Sequence, residues 1–469
     1  MLNVSEATKQ AFLRDSVHKT YRIVFPENGL EYTNEAIVKE SLSMEESLTS
    51  GNSIEFVGCI STSFRVKIFN ITDNVKGKRI EAYVRAGEDT DEVPIFKGIV
   101  DSAKIQAEHA FKEIVAYDKM YTTGLKDVAK WYNNIAYPIT LGNMRKSLES
   151  QLGLVTDPNV TLPNDSIVIP EKQYENVQAL KAITILKSIC QVNGVFGVIR
   201  RSDEKLEYRV LGSSFEPTII GNDFFLGNDV YLGTQMNSSF TFDYYKECEY
   251  EEYSVKPVQR VKIRQSEEDS GVVVGAAKGN TYIIQGNIFT YGLSDSTKAT
   301  IATNVLNNIG TVSFHPCNIK TIGAPFLEAG DVISYPIRRP YIDGGNYNIN
   351  TFIILNRTLS GDQVLNDNYV AEGSEEQSEF ITDIQAQLNT LKTNVPNLGK
   401  DYYTADQIDT MMDDMNDYID DNFYDTDEID TDFAMLETPT GFNVASVYTL
   451  PSNPAVDTIY LIQGGVIMR

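Results

Sequence analysis

Along residues 1–120, apolar and polar positions alternate with the two-residue period of strands that bury one face. Thr62 to Ile71 shows this most cleanly, with Phe64, Val66 and Ile68 on one face and Arg65 and Lys67 on the other. Lys78 to Arg85 repeats the pattern through Ile80, Ala82 and Val84. Thr20 to Phe25, Ile54 to Ile60, Val93 to Ile105 and Phe111 to Tyr117 complete the strands expected here. Turn residues at Gly51-Asn52, Gly77 and Gly87 separate them, so a small sandwich or barrel is expected over 1–120.

The period changes over 121–211. Leu125 to Tyr132 and Leu141 to Leu152 have helical spacing, the latter through Leu141, Met144, Leu148 and Leu152. Asn176 to Val192 carries a stronger stripe of Val177, Leu180, Ile183 or Ile185, Leu186 and Ile189. Val195 to Ile199 and Leu206 to Leu211 then read as a hairpin, which makes this stretch a compact α+β domain. Residues 212–373 return to β, with strands at Val258–Ile263, Gly271–Val274, Tyr282–Ile284, Val312–Phe314, Val332–Ile337 and Phe352–Leu359. One helix, Ser296 to Ile309, interrupts them. A second barrel fits, and two β regions flanking an α+β segment suggest a divergent internal duplication.

Residues 374–437 follow a different grammar. Ile381, Ile384, Leu388, Leu391 and Val395 are spaced 3, 4, 3 and 4, the apolar seam of a coiled coil. Pro396-Asn-Leu-Gly breaks the seam, and Ile408, Met412, Met415 and Ile419 resume it at 4, 3 and 4. A lone helix this short is marginal, so the seam implies association with copies of itself, and its mixture of Ile and Leu leans towards a trimer. Val444 to Tyr448 and Thr458 to Ile467 make a small β segment of 438–469. The expected fold class is α+β, mainly β: two β domains around an α+β insertion, a trimeric coiled coil and a C-terminal β segment.

Charge refines this division. The 469 residues suit about three domains. Of the formal net charge of −25, Glu375 to Glu437 supplies −16, from 18 acidic residues against Lys392 and Lys400, which leaves −9 for the rest. Nucleic-acid binding through a phosphate-neutralising surface needs clustered Lys and Arg, and adhesion to anionic lipid needs the same, so neither fits. The stretch Met1 to Lys9 lacks the basic start and apolar core of a signal peptide, and no apolar run approaches the ~20 residues of a membrane span. A soluble, acidic, multi-domain protein made inside the cell is expected.

Little in the chain suggests catalysis. His18, His109 and His315 are the histidines, and the His315-Pro316-Cys317 step cannot place a thiol and an imidazole across a cleft. Gly271 to Asn280 has the glycines and lysine of a phosphate loop but lacks its Gly-Lys-Ser/Thr ending, and a hairpin turn explains it better. Asp425, Asp427, Glu428, Asp430 and Asp432 lack the glycine of a calcium-binding loop and read as a solvated acidic face. Cys59, Cys190, Cys248 and Cys317 lie far apart with no CxxC pair, so neither a disulfide framework nor a zinc site is expected. The 26 tyrosines against one tryptophan suit sugar or protein contact, or strands, without discriminating. No catalytic residue, cofactor or metal is expected.

Three stretches carry a family resemblance. Phe96-Lys-Gly-Ile-Val, Glu113-Ile-Val-Ala-Tyr-Asp-Lys-Met-Tyr and Val128-Ala-Lys-Trp-Tyr-Asn resemble the opening domain of the tail (baseplate) hub proteins of phages and prophages of Gram-positive bacteria. Gly323-Ala-Pro-Phe-Leu-Glu-Ala-Gly-Asp-Val-Ile and Asn356-Arg-Thr-Leu-Ser-Gly-Asp-Gln-Val-Leu resemble the end of the hub's second barrel. Tyr402-Tyr-Thr-Ala-Asp-Gln-Ile-Asp and its echo from Phe423 resemble linking segments of trimeric tail fibres. The resemblance implies a homotrimer with two tube-like barrels per chain, forming a ring that continues the hexameric tail tube and passes DNA during ejection. It implies assembly in the host cytoplasm, residence at the distal tip of the virion tail, and tail-tube, tape-measure and fibre or receptor-binding proteins as partners. Many such hubs carry a peptidase or muramidase after the second barrel; here too little sequence follows residue 373, so no enzyme is expected. The alternative implied is a trimeric receptor-binding fibre or tip protein touching a host surface glycan.

Overall fold

The computed structural model describes residues 1–14, 16–49, 58–105, 110–211, 239–241, 245–338, 347–373, 375, 379–380, 443–447, 458–462 and 465–467. They are mainly β, with six α-helices among them. The chain divides into two compact units, Met1–Pro396 and Asn397–Arg469.

The first β region opens with helix α1 (Glu6–Phe12), capped by Ser5, whose side chain accepts from the Thr8 amide. Then come β1 (Lys19–Phe25), β2 (Leu30–Thr33), β3 (Ser43–Ser47), β4 (Ser63–Phe69), β5 (Arg79–Ala86), β6 (Val93–Ile105) and β7 (Phe111–Tyr117). Alternation becomes burial as expected: Phe64, Val66 and Ile68 of β4 are buried while Arg65 is exposed. β2 and β3 escaped the sequence reading, because Leu-Glu-Tyr-Thr and Ser-Met-Glu-Glu-Ser are short and mostly polar. All pairings in this region are antiparallel.

The middle segment carries α2 (Lys119–Gly124), α3 (Ala129–Asn133), β8 (Ile139–Thr140), α4 (Leu141–Leu152), β9 (Val168–Ile169), α5 (Ala182–Asn193), β10 (Phe196–Ile199) and β11 (Leu206–Arg209). α4 and the hairpin stand where the sequence put them. The helix expected over Leu125–Tyr132 begins only at Ala129, as α3. The Asp127 carboxylate accepts from the Ala129 amide at 2.7 Å and the Leu180 amide at 3.2 Å, which holds the residues ahead of α3 out of the helix. α5 likewise begins six residues later than expected. Asn176 has φ of 52°, and residues 176–181 are not helical, with the Val128 amide donating to the Leu180 carbonyl at 2.7 Å. The helical spacing of Val177 and Leu180 is thus coincidental.

The last part of this unit holds β12 (Ser239–Thr241), β13 (Glu247–Tyr250), β14 (Arg260–Arg264), β15 (Val272–Gly275), β16 (Thr281–Gln285), α6 (Asp295–Ile309), β17 (Cys317–Ile322), β18 (Val332–Arg338), β19 (Tyr347–Ile353), β20 (Asn356–Ser360), β21 (Asn366–Ala371) and β22 (Glu379–Phe380). Phe352–Leu359 is not one strand but the end of β19 and most of β20 around a turn at Ile354-Leu355. Val312–Phe314 makes only a single bridge, Phe314 to Val255. Unlike the first region, this one contains parallel pairs, among them β14 with β16.

The two β regions, expected as separate barrels, share a sheet. Its eleven strands run β13-β17-β21-β20-β3-β4-β7-β6-β5-β1-β2. The join is β20 against β3, antiparallel, with Arg357 opposite Glu46 and Leu359 opposite Met44. In the second unit β23 (Asn443–Val447) pairs parallel with β24 (Thr458–Ile462), which pairs antiparallel with β25 (Gly465–Ile467), matching the expected small β segment.

Candidate functional site

The segment Gly323–Asp331, between β17 and β18, is buried at every residue. A buried loop cannot leave its peptide groups to water, so each needs a protein partner. The amides of Gly323, Ala324 and Gly330 donate to the Leu365 carbonyl, the Asp367 carboxylate and the Ile354 carbonyl at 2.7–2.8 Å. The Phe326 carbonyl accepts from the Leu2 amide at 2.7 Å. Gly330 sits at φ of +95°, a conformation that excludes other residues without strain.

Arginines donate to four of the loop's carbonyls. Arg357 of β20 donates through Nη2 to Ala324 at 2.8 Å and through Nη1 to Leu327. Arg201, in the turn between β10 and β11, donates to Pro325 at 3.2 Å and also to Leu327. The same guanidinium reaches back to the carbonyls of Pro94 and Ile95 on β6, both at 3.4 Å. Arg209, at the end of β11, donates to the Ala329 carbonyl. Arginine suits this task because its planar fork has five donors and keeps its charge when buried.

Carboxylates balance the guanidinium charges. Asp367 grips Arg357 bidentately, Nε to Oδ1 at 2.8 Å and Nη2 to Oδ2 at 3.0 Å, and also accepts from the Tyr369 hydroxyl at 3.0 Å. Glu46 of β3 lies 3.8 Å from Arg357 and 4.0 Å from Arg201. Glu328 lies 3.7 Å from Arg209 and 3.2 Å from the Met1 ammonium, which also donates to Asp331 at 2.7 Å. Burial would push the Glu328 carboxyl up, but Arg209, Arg201 and the ammonium outweigh it and hold it at about 2. Asp331 moves the other way, raised by burial and by the neighbouring Glu328 against the pull of the ammonium. Beside this network lies a cavity of about 530 Å³ lined by Met1, Asp91, Glu92, Arg200, Glu207 and Glu328.

This clamp draws one residue set from each part of the unit: Glu46, Pro94 and Ile95 from the first β region, Arg201 and Arg209 from the middle segment, Arg357 and Asp367 from the second. Its hydrogen bonds and ion pairs hold the loop in place.

No family model matches the sequence, and no curated protein matches it. Solved structures do align with it. The 43 kDa tail protein of prophage MuSo2 from Shewanella oneidensis is 11% identical, with 75% of this chain and 98% of that one covered and a TM-score of 0.44. A tail protein from Neisseria meningitidis MC58 is 9% identical, with 77% and 99% covered and a TM-score of 0.42. The prophage tail protein gp18 from Listeria monocytogenes EGD-e is 11% identical, with 80% and 99% covered and a TM-score of 0.42. All three scores are too low to establish a common fold.

The seam residues Ile381, Ile384, Leu388, Leu391, Val395, Ile408, Met412, Met415 and Ile419 lie outside the described residues, as does the acidic stretch Asp425 to Asp432. Gly271 to Gly275 is β15 and its approach, and Lys278 precedes a strand rather than a helix. His315 Nδ1 donates to the Tyr253 carbonyl at 2.9 Å, which occupies that nitrogen. Among the described residues no group of three or more His, Cys, Asp or Glu is arranged to hold a metal, and no helix is long and apolar enough to cross a membrane. Many tyrosines serve the core: Tyr21, Tyr132, Tyr282, Tyr335 and Tyr369 are all nearly inaccessible. Cys59 and Cys190, 131 positions apart, meet with their sulfurs at 3.5 Å. The clamp itself escaped the sequence reading. One signal was present: Arg357 takes the inward position beside Leu359 in an alternating strand, a lone cation on an apolar face.

Proposed function

We propose that this chain is a non-catalytic structural component of a bacteriophage tail, forming the homotrimeric hub at its distal tip. The observation that carries the reading is the clamp around Gly323–Asp331. The sequence that resembles the end of a hub's second barrel is here a buried junction, and it ties both β regions and the segment between them into one body. A ring that must keep its bore while DNA passes needs such rigidity within each subunit. Three chains with two β regions each supply the six-fold appearance required to continue a hexameric tail tube. The coiled-coil seam holds the three tails together, and the tube, tape-measure and fibre or receptor-binding proteins are the partners. The −9 carried outside Glu375 to Glu437 suits a lumen that repels phosphates, so that DNA slides without adhering.

Negative-stain electron microscopy of the purified protein, classed by symmetry, tests this. A three-fold ring with a central pore and a protruding stalk is the expected particle. A solid trimeric rod without a pore would replace the hub by a receptor-binding fibre. Monomers that stay monomeric when mixed with tail-tube protein would overturn the ring.

A further inference from the structure

Cys59 and Cys190 belong to different parts of the fold, one just ahead of β4 and the other in α5, yet their Sγ atoms are 3.5 Å apart. Both are free thiols, at 4% and 0% exposure. The room they share is made by Gly197 of β10. A Cβ at that position would stand 2.7 Å from Cys59 Sγ and 3.4 Å from Cys190 Sγ, so any side chain there would displace the pair. The Gly197 amide donates to the Gly58 carbonyl at 2.7 Å, which seats the Cys59 backbone against the hairpin. A disulfide needs its sulfurs at about 2.05 Å, so closure asks for a shift of roughly 1.5 Å.

We propose that Cys59 and Cys190 are an oxidisable pair that closes, on exposure to a hydroperoxide, into a disulfide joining the first β region to the middle segment. The slightly accessible Cys59 reacts first. Its sulfur attacks one peroxide oxygen, the O–O bond breaks, and the departing hydroxide takes the thiol proton to leave as water. The Cys190 sulfur then attacks the resulting sulfenic acid, forming the S–S bond and releasing a second water. Two thiols and one hydrogen peroxide thus give one disulfide and two waters. The pair stays reduced in a thiol-rich interior and closes in an oxidising exterior. Its chemistry is independent of the tail-hub reading.

The test treats the folded full chain with hydrogen peroxide, alkylates the remaining thiols, and maps linked peptides by mass spectrometry without reduction. A Cys59–Cys190 linked peptide is expected to become the main cysteine product, with the thermal midpoint rising by a few degrees and falling back on reduction. Cys190→Ser is expected to give no link and to leave Cys59 as a sulfenic acid that dimedone traps. Alkylation of both thiols in full, after a peroxide dose that oxidises a free cysteine peptide in the same tube, would overturn the proposal. So would Cys59 linked instead to Cys248 or Cys317 in the folded protein. The wild-type peptide map decides the matter even if the variant fails to fold.

Discussion

Removing the Arg357 side chain would strand the Asp367 carboxylate in a site where both side chains are fully buried. Breaking a buried pair by deleting one partner costs about 3–5 kcal/mol, and here the Ala324 and Leu327 carbonyls each lose one of two donors. Arg357→Met is therefore expected to lower the unfolding free energy in urea by that amount. Arg357→Lys should recover little, because a single ammonium cannot reproduce a bidentate grip and two further bonds. Glu328 makes the clamp sensitive to acid. Its folded carboxyl sits at about 2 against an ordinary 4.5, so its contribution is complete above that ordinary value and drains away as pH falls through it towards 2. Glu328→Gln should flatten this acid limb of a stability-against-pH curve. Asp118 has the opposite sign. Burial pushes it up to about 6, although the Thr62 amide, the Ser61 hydroxyl and the Met120 amide all donate to it. The folded state then holds an extra proton between the ordinary 3.8 and 6, so this group adds stability as pH falls through that window, and Asp118→Asn should abolish that slope.

At the scale of elements, β20 has strands on both sides, β21 and β3, and no free edge. Proline cannot donate to a ladder and is confined to edges and bulges. Thr358→Pro should therefore unzip the join between the two β regions, read as lost protection from hydrogen exchange in β3 as well as β20. Elements whose patterns are strong were legible at this scale. β7 and α4 fall at the expected residues because alternating or helical burial runs through their whole length. The two late helix starts share one kind of cause. At Asp127 and Asn176 a helical apolar spacing was overruled by a side-chain cap and a left-handed backbone, local devices that hydrophobic period does not encode. In the tail, Ile384→Asp together with Leu388→Asp should put charges into the proposed seam and separate the C-terminal segments. Sedimentation of the full chain, with disulfide cross-linking between tails, would reveal tails that stay joined and so refute the coiled coil.

For the whole molecule, the shared sheet and the three-part clamp predict that Met1–Pro396 unfolds in one transition, not as separate domains. Tyrosine fluorescence and far-ultraviolet circular dichroism should trace superimposable urea curves for this unit. If the hub reading is right, reversing lumen-facing acidic residues to lysine should slow or block DNA ejection from assembled particles, and unchanged ejection would count against a repulsive lumen.

The sequence by itself determined where most strands and helices lie, that the acidity is concentrated between Glu375 and Glu437, and that no familiar catalytic or metal-binding motif is present. Those properties are local or additive, and both periodicity and charge can be counted along the chain. Only the tertiary structure decided that two β regions share one sheet, that Arg201, Arg209 and Arg357 converge on one buried loop, and that Cys59 meets Cys190. Each of these joins residues more than a hundred positions apart or gathers several elements at once. Such pairings are selected by the packing and hydrogen-bond demands of the buried interior, which leave almost no mark on the spacing of neighbouring residues.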